Sequence, residues 1–144
     1  MNAIESNRKA IEEMWRRLEA GLDWNVLDEY YDPAYVRNGD SGQLNRDAWY
    51  RQLQELYTAF PDHITDVKVT VAEGDYVVYR WTATARHLGQ YQGAPPTGRS
   101  VTAEGITISR FRDGKIVEEQ ASWNKLAFLE NLGISALRRR IPNT

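Results

Sequence analysis

Two histidines and a few strand-borne polar residues are what this 144-residue chain offers for moving a proton. An imidazole titrates near neutrality, so His87 could exchange a proton with a substrate, or it could tie down the loop that it opens. Glu104 and Glu118 fall in strand-like runs. Desolvated there, either carboxyl would have a raised pKa and could serve as a base; on a rim it would do neither. Arg110 is placed to pair with one of them. Asn124 can hydrogen-bond a substrate oxygen but cannot take up and return a proton, and it could equally cap a helix. His63 follows the helix-ending Pro61 and reads as a surface residue. Two separated histidines without a nearby carboxylate pattern give no metal centre. The absence of cysteine excludes disulfides, thiolate nucleophiles and Cys-ligated metals. No Ser-His-Asp order, phosphate-cradling loop or dinucleotide fingerprint is present.

These residues must be positioned by elements that the periodicity delimits. Ile11, Met14, Trp15, Leu18 and Leu22 recur at helical spacing and predict a helix over 3–21, with Asn2 and Glu5 as a capping pair and Gly21 as its stop. Asp23 caps a short second helix to about Tyr30, which Asp32-Pro33 ends. Tyr35–Asn38 reads as a short strand, and Gly39 to Gly42 as a turn. Asn45 caps a third helix, Arg46–Phe60, with Trp49, Leu53, Leu56 and Phe60 on one face. From His63 the period becomes two. Strands are expected at Ile64–Glu73, Tyr76–Leu88, Ser100–Arg112 and Ile116–Trp123, with an Asp-Gly hairpin turn at Asp113-Gly114. A last helix is expected over Leu126–Leu132, stopped by Gly133. The tail that follows has no clear element, and Arg138–Arg140 reads as solvated.

Alternation sorts the faces. Val77, Tyr79, Trp81, Ala83, Ala85 and His87 share one. Glu104, Ile106, Ile108 and Arg110 share another, opposite Val101, Ala103, Gly105, Thr107, Ser109 and Phe111. Ile116, Glu118, Gln120, Ser122 and Asn124 are expected on one face of the last strand. Trp15, Trp49, Tyr79, Trp81 and Trp123 either line a pocket for a flat hydrophobic ligand or fill the core. Helices first and antiparallel strands after make this an α+β chain of one domain over 1–144.

Composition is that of an ordinary globular protein, 42% hydrophobic and 26% charged. A net charge of −2 makes no electrostatic case for nucleic acid or an anionic membrane. No run approaches the roughly 20 apolar residues of a membrane helix. The polar, helical start does not read as a secretory signal, so the cytoplasm is the expected compartment.

The connection His87–Gly98, HLGQYQGAPPTG, and the later Arg110–Glu118, RFRDGKIVE, carry a family likeness. Ala59–Asp62, AFPD, and the closing Asn124–Gly133 agree with it. Over residues 5 to 133 the chain resembles the SnoaL-like polyketide cyclases of the NTF2-like superfamily. That resemblance implies a cone, in which a curved sheet is wrapped by the leading helices, and a homodimer paired through the outer sheet face. It also implies a cofactor-free enzyme acting on a hydrophobic polycyclic or polyketide-like molecule. The family's cyclases carry an Asp as acid and base where this chain has Asn124, and a Trp where it has Gln120. Members with Asn there look like hydroxylases of anthracycline-type substrates. Because one scaffold hosts many chemistries, a non-catalytic binding or dimerisation module stays open, as does an epoxide hydrolase or dehydratase using Glu104, Glu118 and Arg110 around a water.

Overall fold

The computed structural model describes residues 2–133; the tail with Arg138–Arg140 lies outside the described residues. Helix α1 spans Ala3–Gly21, and the Asn2 side chain accepts the Glu5 N–H at 2.8 Å. It buries Ile11, Met14, Trp15 and Leu18. Its left-handed stop is Leu22 (φ +51°), one residue beyond the expected glycine. A 3₁₀ turn, Trp24–Glu29, is capped by Asp23. Strand β1 (Tyr31–Gly39) starts earlier than Asp32-Pro33 would suggest. Residues 32–35 pair with neither neighbouring strand, so the proline's missing N–H breaks no ladder there. The expected Gly39–Gly42 turn links β1 to a short strand that the sequence did not signal, β2 (Gly42–Asn45). Helix α2 (Arg46–Ala59) follows, capped by Asn45.

Strands β3 (Ile64–Glu73), β4 (Tyr76–Arg86), β5 (Ser100–Arg112) and β6 (Lys115–Trp123) complete the sheet, and α3 (Lys125–Asn131) closes the described chain. The strand order is β2-β1-β6-β5-β4-β3, antiparallel except where β1 meets β6. The sheet is curved and open, with α1 packed over β3 and β4 and α2 over β1 and β2. One apolar cluster fills the space under these helices; a second gathers Phe60, Ala85, Val101 and Phe128.

The faces of β4 and β5 alternate as expected. Strand β6 does not. Its pairing with β5 jumps from Arg110–Glu118 to Phe111–Ile116, so Val117 is an extra residue and both Ile116 and Val117 are buried. Beyond this bulge the parity is reversed relative to Ile116. Glu119, Ala121 and Trp123 turn inward, while Glu118, Gln120 and Ser122 turn out.

Gly105, on the inner face of β5, has no room for a side chain. A Cβ there would lie 2.5 Å from the Trp81 ring and 2.7 Å from both the Ser122 carbonyl oxygen and the Trp123 Cβ. Gly105→Ala is therefore expected to displace both indoles and to destabilise the fold by about 1–3 kcal/mol, the usual cost of overpacking. Denaturant unfolding followed by tryptophan fluorescence measures it, and an unchanged midpoint would contradict the packing described.

Candidate functional site

Between the concave sheet face and the two long helices lies a cavity of about 160 Å³. Trp15 reaches it from α1, Trp49 from α2, Tyr79 and Trp81 from β4, and Trp123 from β6. Their polar edges are mostly engaged. Trp15 Nε1 donates to Tyr79 Oη at 3.3 Å and Trp81 Nε1 to Thr107 Oγ1 at 3.0 Å. At one end Tyr91 and Phe128 meet edge to face with centroids 5.7 Å apart, and both pack on Phe60. Burial, then Asp40 and Glu55, push the Tyr91 phenol up to about 12, so it is a neutral hydroxyl in the physiological range.

One cation belongs to this wall. Arg37, on β1, lines the cavity with its side chain 13% exposed. Its guanidinium lies 3.6 Å from the centroid of the Trp49 ring. Behind it, Nη1 donates to Glu119 Oε1 at 3.2 Å and to Tyr35 Oη at 3.4 Å. Glu119 is 1% exposed and also accepts from Tyr35 Oη at 2.7 Å and from Ser109 Oγ. Burial works against the Arg37 charge, but Tyr35 and Glu119 outweigh it and its pKa is raised. Burial first, and the Glu119 charge second, push the Tyr35 and Tyr79 phenols up. The result is a fixed cation with its donors partly saturated, facing an aromatic cavity.

A second polar group, His63, lines the cavity where α1 meets the start of β3, with Glu19 beside it. His63 is not on the surface: its side chain is 12% exposed and it lines the cavity. The helix end at Phe60 turns it under α1 rather than outward. Its Nδ1 lies 3.2 Å from Glu19 Oε2. Glu19, 7% exposed at its side chain, also accepts from Tyr57 Oη at 2.6 Å and from the Thr65 hydroxyl at 2.8 Å and N–H at 2.9 Å. The Tyr57 ring stands edge-on to the imidazole at 4.8 Å between centroids. Burial, then the Glu19 charge, push its phenol up.

The other sequence candidates sit elsewhere. His87 is fully buried but is not among the cavity-lining residues. Its Nδ1 accepts the Thr97 N–H at 3.2 Å, its ring stacks on Phe60 at 5.2 Å, and its backbone pairs with Arg99 and Gly98, so it braces the loop 87–99. That loop serves the cavity through Tyr91 instead, held by a tight turn in which Gln92 and Gly93 both have positive φ. Asn124 is exposed and caps α3, accepting the Ala127 N–H at 3.0 Å. Glu104 lies on the outer face beside Arg80 at 3.9 Å, and Arg110 pairs with Glu118 at 3.7 Å on the same side; Gln120 is also outside. The arrangement of Glu104, Glu118 and Arg110 around an inner water therefore does not form. Among the described residues there is no cluster of three potential metal ligands. Glu19 did carry a sequence signal, being one turn from Trp15 on the helix's inner stripe. Glu119 carried none, since only the bulge turns it inward.

The two histidines are expected to be opposite tautomers. A carboxylate only accepts, so the neutral His63 ring carries its proton on Nδ1; His87 Nδ1 accepts a backbone N–H, so its proton is on Nε2. Nitrogen NMR of labelled protein reads both directly, and two rings of the same tautomer would contradict one of these contacts.

Known structures resemble this one along almost its whole length. AclR of Streptomyces galilaeus, a candidate hydroxylase, is 27% identical with a TM-score of 0.83, covering 96% of this chain and 99% of its own. IdmH of Streptomyces antibioticus, a candidate polyketide cyclase, is 28% identical with a TM-score of 0.77, covering 89% and 99%. A SnoaL-like protein of Jannaschia, 22% identical with a TM-score of 0.83 over 94% and 96% of the two chains, shares the fold. A curated match, the mitochondrial external NADH-ubiquinone oxidoreductase 2 of Saccharomyces cerevisiae, is 22% identical over 151 residues, 92% of this chain. This chain spans only 27% of that protein's length. Residues 7–132 match the SnoaL-like polyketide cyclase family, and with an NTF2-like cone around an aromatic cavity the chain belongs to that family.

Proposed function

We propose that this chain is an enzyme of the cyclase or hydroxylase type that binds a ring of a polyketide-like molecule in the cavity, with an anionic or carbonyl oxygen against Arg37. The observation that carries this reading is the Arg37 guanidinium, stacked on Trp49 and backed by Glu119, beside the aromatic residues of the cavity. Likeness to AclR and IdmH supports the substrate class. A cavity of about 160 Å³ suits one ring or a small bicycle, since one of about 150 Å³ holds a benzene. The rest of a larger substrate would extend past the exposed Asp40, Glu55 and Gln92. As charge develops on the substrate oxygen, a largely buried, fixed cation stabilises it without reorganising.

Tryptophan quenching by 2-naphthoate and by the neutral 2-naphthamide tests this. Wild type is expected to prefer the carboxylate. The double variant R37M/E119Q, which avoids leaving Glu119 buried and unpaired, should lose tenfold or more of the naphthoate affinity and little of the amide affinity. Equal binding of both probes by wild type would remove Arg37 from recognition. Binding without turnover of any polyketide co-purifying with the protein would favour a non-catalytic module.

We also propose a homodimer joined by the outer sheet face. Val69 and Val71 on β3 and Ile106 and Ile108 on β5 are exposed there on either side of β4, with Val78 between Val71 and Ile108 and Arg80 between Val69 and Ile106; exposed aliphatic side chains grouped in this way mark association. Light scattering should give about twice 16.6 kDa, and Ile106→Asp should give the monomer mass. A wild-type monomer at micromolar concentration would defeat this proposal.

A further inference from the structure

We propose that His63 and Glu19 form a proton-abstracting pair, in which His63 Nε2 takes a proton from a carbon acid held in the cavity. This rests on the cavity being the substrate site, as proposed above, and adds the base that Asn124 cannot be. The geometry is that of a base and its orienter. Glu19 receives the imidazole Nδ1 at 3.2 Å and is itself held by Tyr57 and by two groups of Thr65, so its position does not depend on the histidine. The contact places the neutral ring's proton on Nδ1 and leaves the Nε2 lone pair without a partner among the described residues. His63 lines the same cavity as Arg37.

In the step, the substrate C–H bond breaks and its proton goes to Nε2. The bonding pair moves through the adjacent carbonyl carbon to its oxygen, giving an enolate that a cation such as Arg37 stabilises. The imidazolium is balanced by Glu19 through Nδ1–H. Return of the proton to another carbon would isomerise the substrate; attack of the enolate carbon on a second carbonyl would close a ring, with the His63 imidazolium giving its proton to the alkoxide so formed. No oxidant or metal enters the balance. His63 is the catalytic residue of this scheme and Glu19 its positioning residue.

The test uses 5-nitrobenzisoxazole, a flat bicycle of the cavity's size whose C–H proton is removed as its N–O bond breaks, releasing a coloured nitrophenolate. Wild type is expected to accelerate this elimination at neutral pH. His63→Gln should lower the rate about a hundredfold or more, within the range that a positioned general base supplies, with binding measured by tryptophan quenching unchanged. Glu19→Gln should lower it to a similar extent, keep the binding, and move the His63 ring proton to Nε2 in nitrogen NMR, because the carboxamide can donate and the wrong tautomer has no lone pair at Nε2. Thermal unfolding controls for folding. Should His63→Gln not fold, wild-type NMR decides: the probe must perturb His63 Nε2 and leave His87 unmoved. Binding with a rate indifferent to His63, or a wild-type His63 protonated on Nε2, would overturn the pair while sparing the cavity reading. Failure of the probe to bind would instead overturn both.

Discussion

Burying a carboxylate costs several kcal/mol unless its oxygens are satisfied, and Glu119 imposes that condition on the whole open side of the sheet. Its partners come from two other strands: Tyr35 and Arg37 from β1, and Ser109 from β5. The one parallel pairing of the sheet, β1 against β6, brings the first two within reach, with Arg37 directly opposite Glu119. Removing one member would strand a charge at a cost of about 3–5 kcal/mol. The same pair sets the cation of the cavity, because Arg37 is held from behind by Glu119 and from the side by Trp49. Scaffold and site thus share their most constrained atoms, and the long aromatic side chains around them need not be polar to be specific.

Many of the residues that carry the family likeness build the scaffold, although Phe60, Tyr91 and Phe128 among them also face the cavity. The loop 87–99 is closed by its own backbone bonds and by His87, and it is fastened to the end of α2, where the Leu88 and Gly89 N–H groups share the Ala59 carbonyl. Gly89 comes so close to the Thr58 carbonyl oxygen that a Cβ would clash. Such residues are tied to a shape and recur wherever the shape does. Those that touch a ligand are free to differ, which is why a shared scaffold tells little of a shared reaction.

A curved sheet also divides labour between its faces. The concave side holds the aromatic wall, Arg37 and, against α1, the Glu19–His63 contact; these charged and polar groups are largely buried, so each electrostatic interaction there is stronger than it would be outside. The convex face carries exposed aliphatic side chains and ion pairs such as Arg110–Glu118, which solvent screens and which contribute little.

Local sequence determined much of this architecture. Helix α1 and strands β3 and β5 fall on the residues their periodicity and caps indicate, because those signals are written into contiguous chain. The inner face of β4 was legible for the same reason, through simple alternation. What the sequence could not decide depends on pairing across distance. Strand β2 is too short for a period and exists only against β1. Glu118 and Glu119 are adjacent glutamates with equal claims, and a one-residue bulge, visible only in the register of β5 with β6, sends Glu119 inside. His63 looks like a loop residue until α1 passes over it and brings Glu19, forty-four positions away, to its ring. His87 reads as a base until the loop folds back and fills its Nδ1 with the Thr97 N–H. Burial and hydrogen-bond partners are properties of surfaces brought together, so the surroundings of each of these ionisable side chains were decided by tertiary structure.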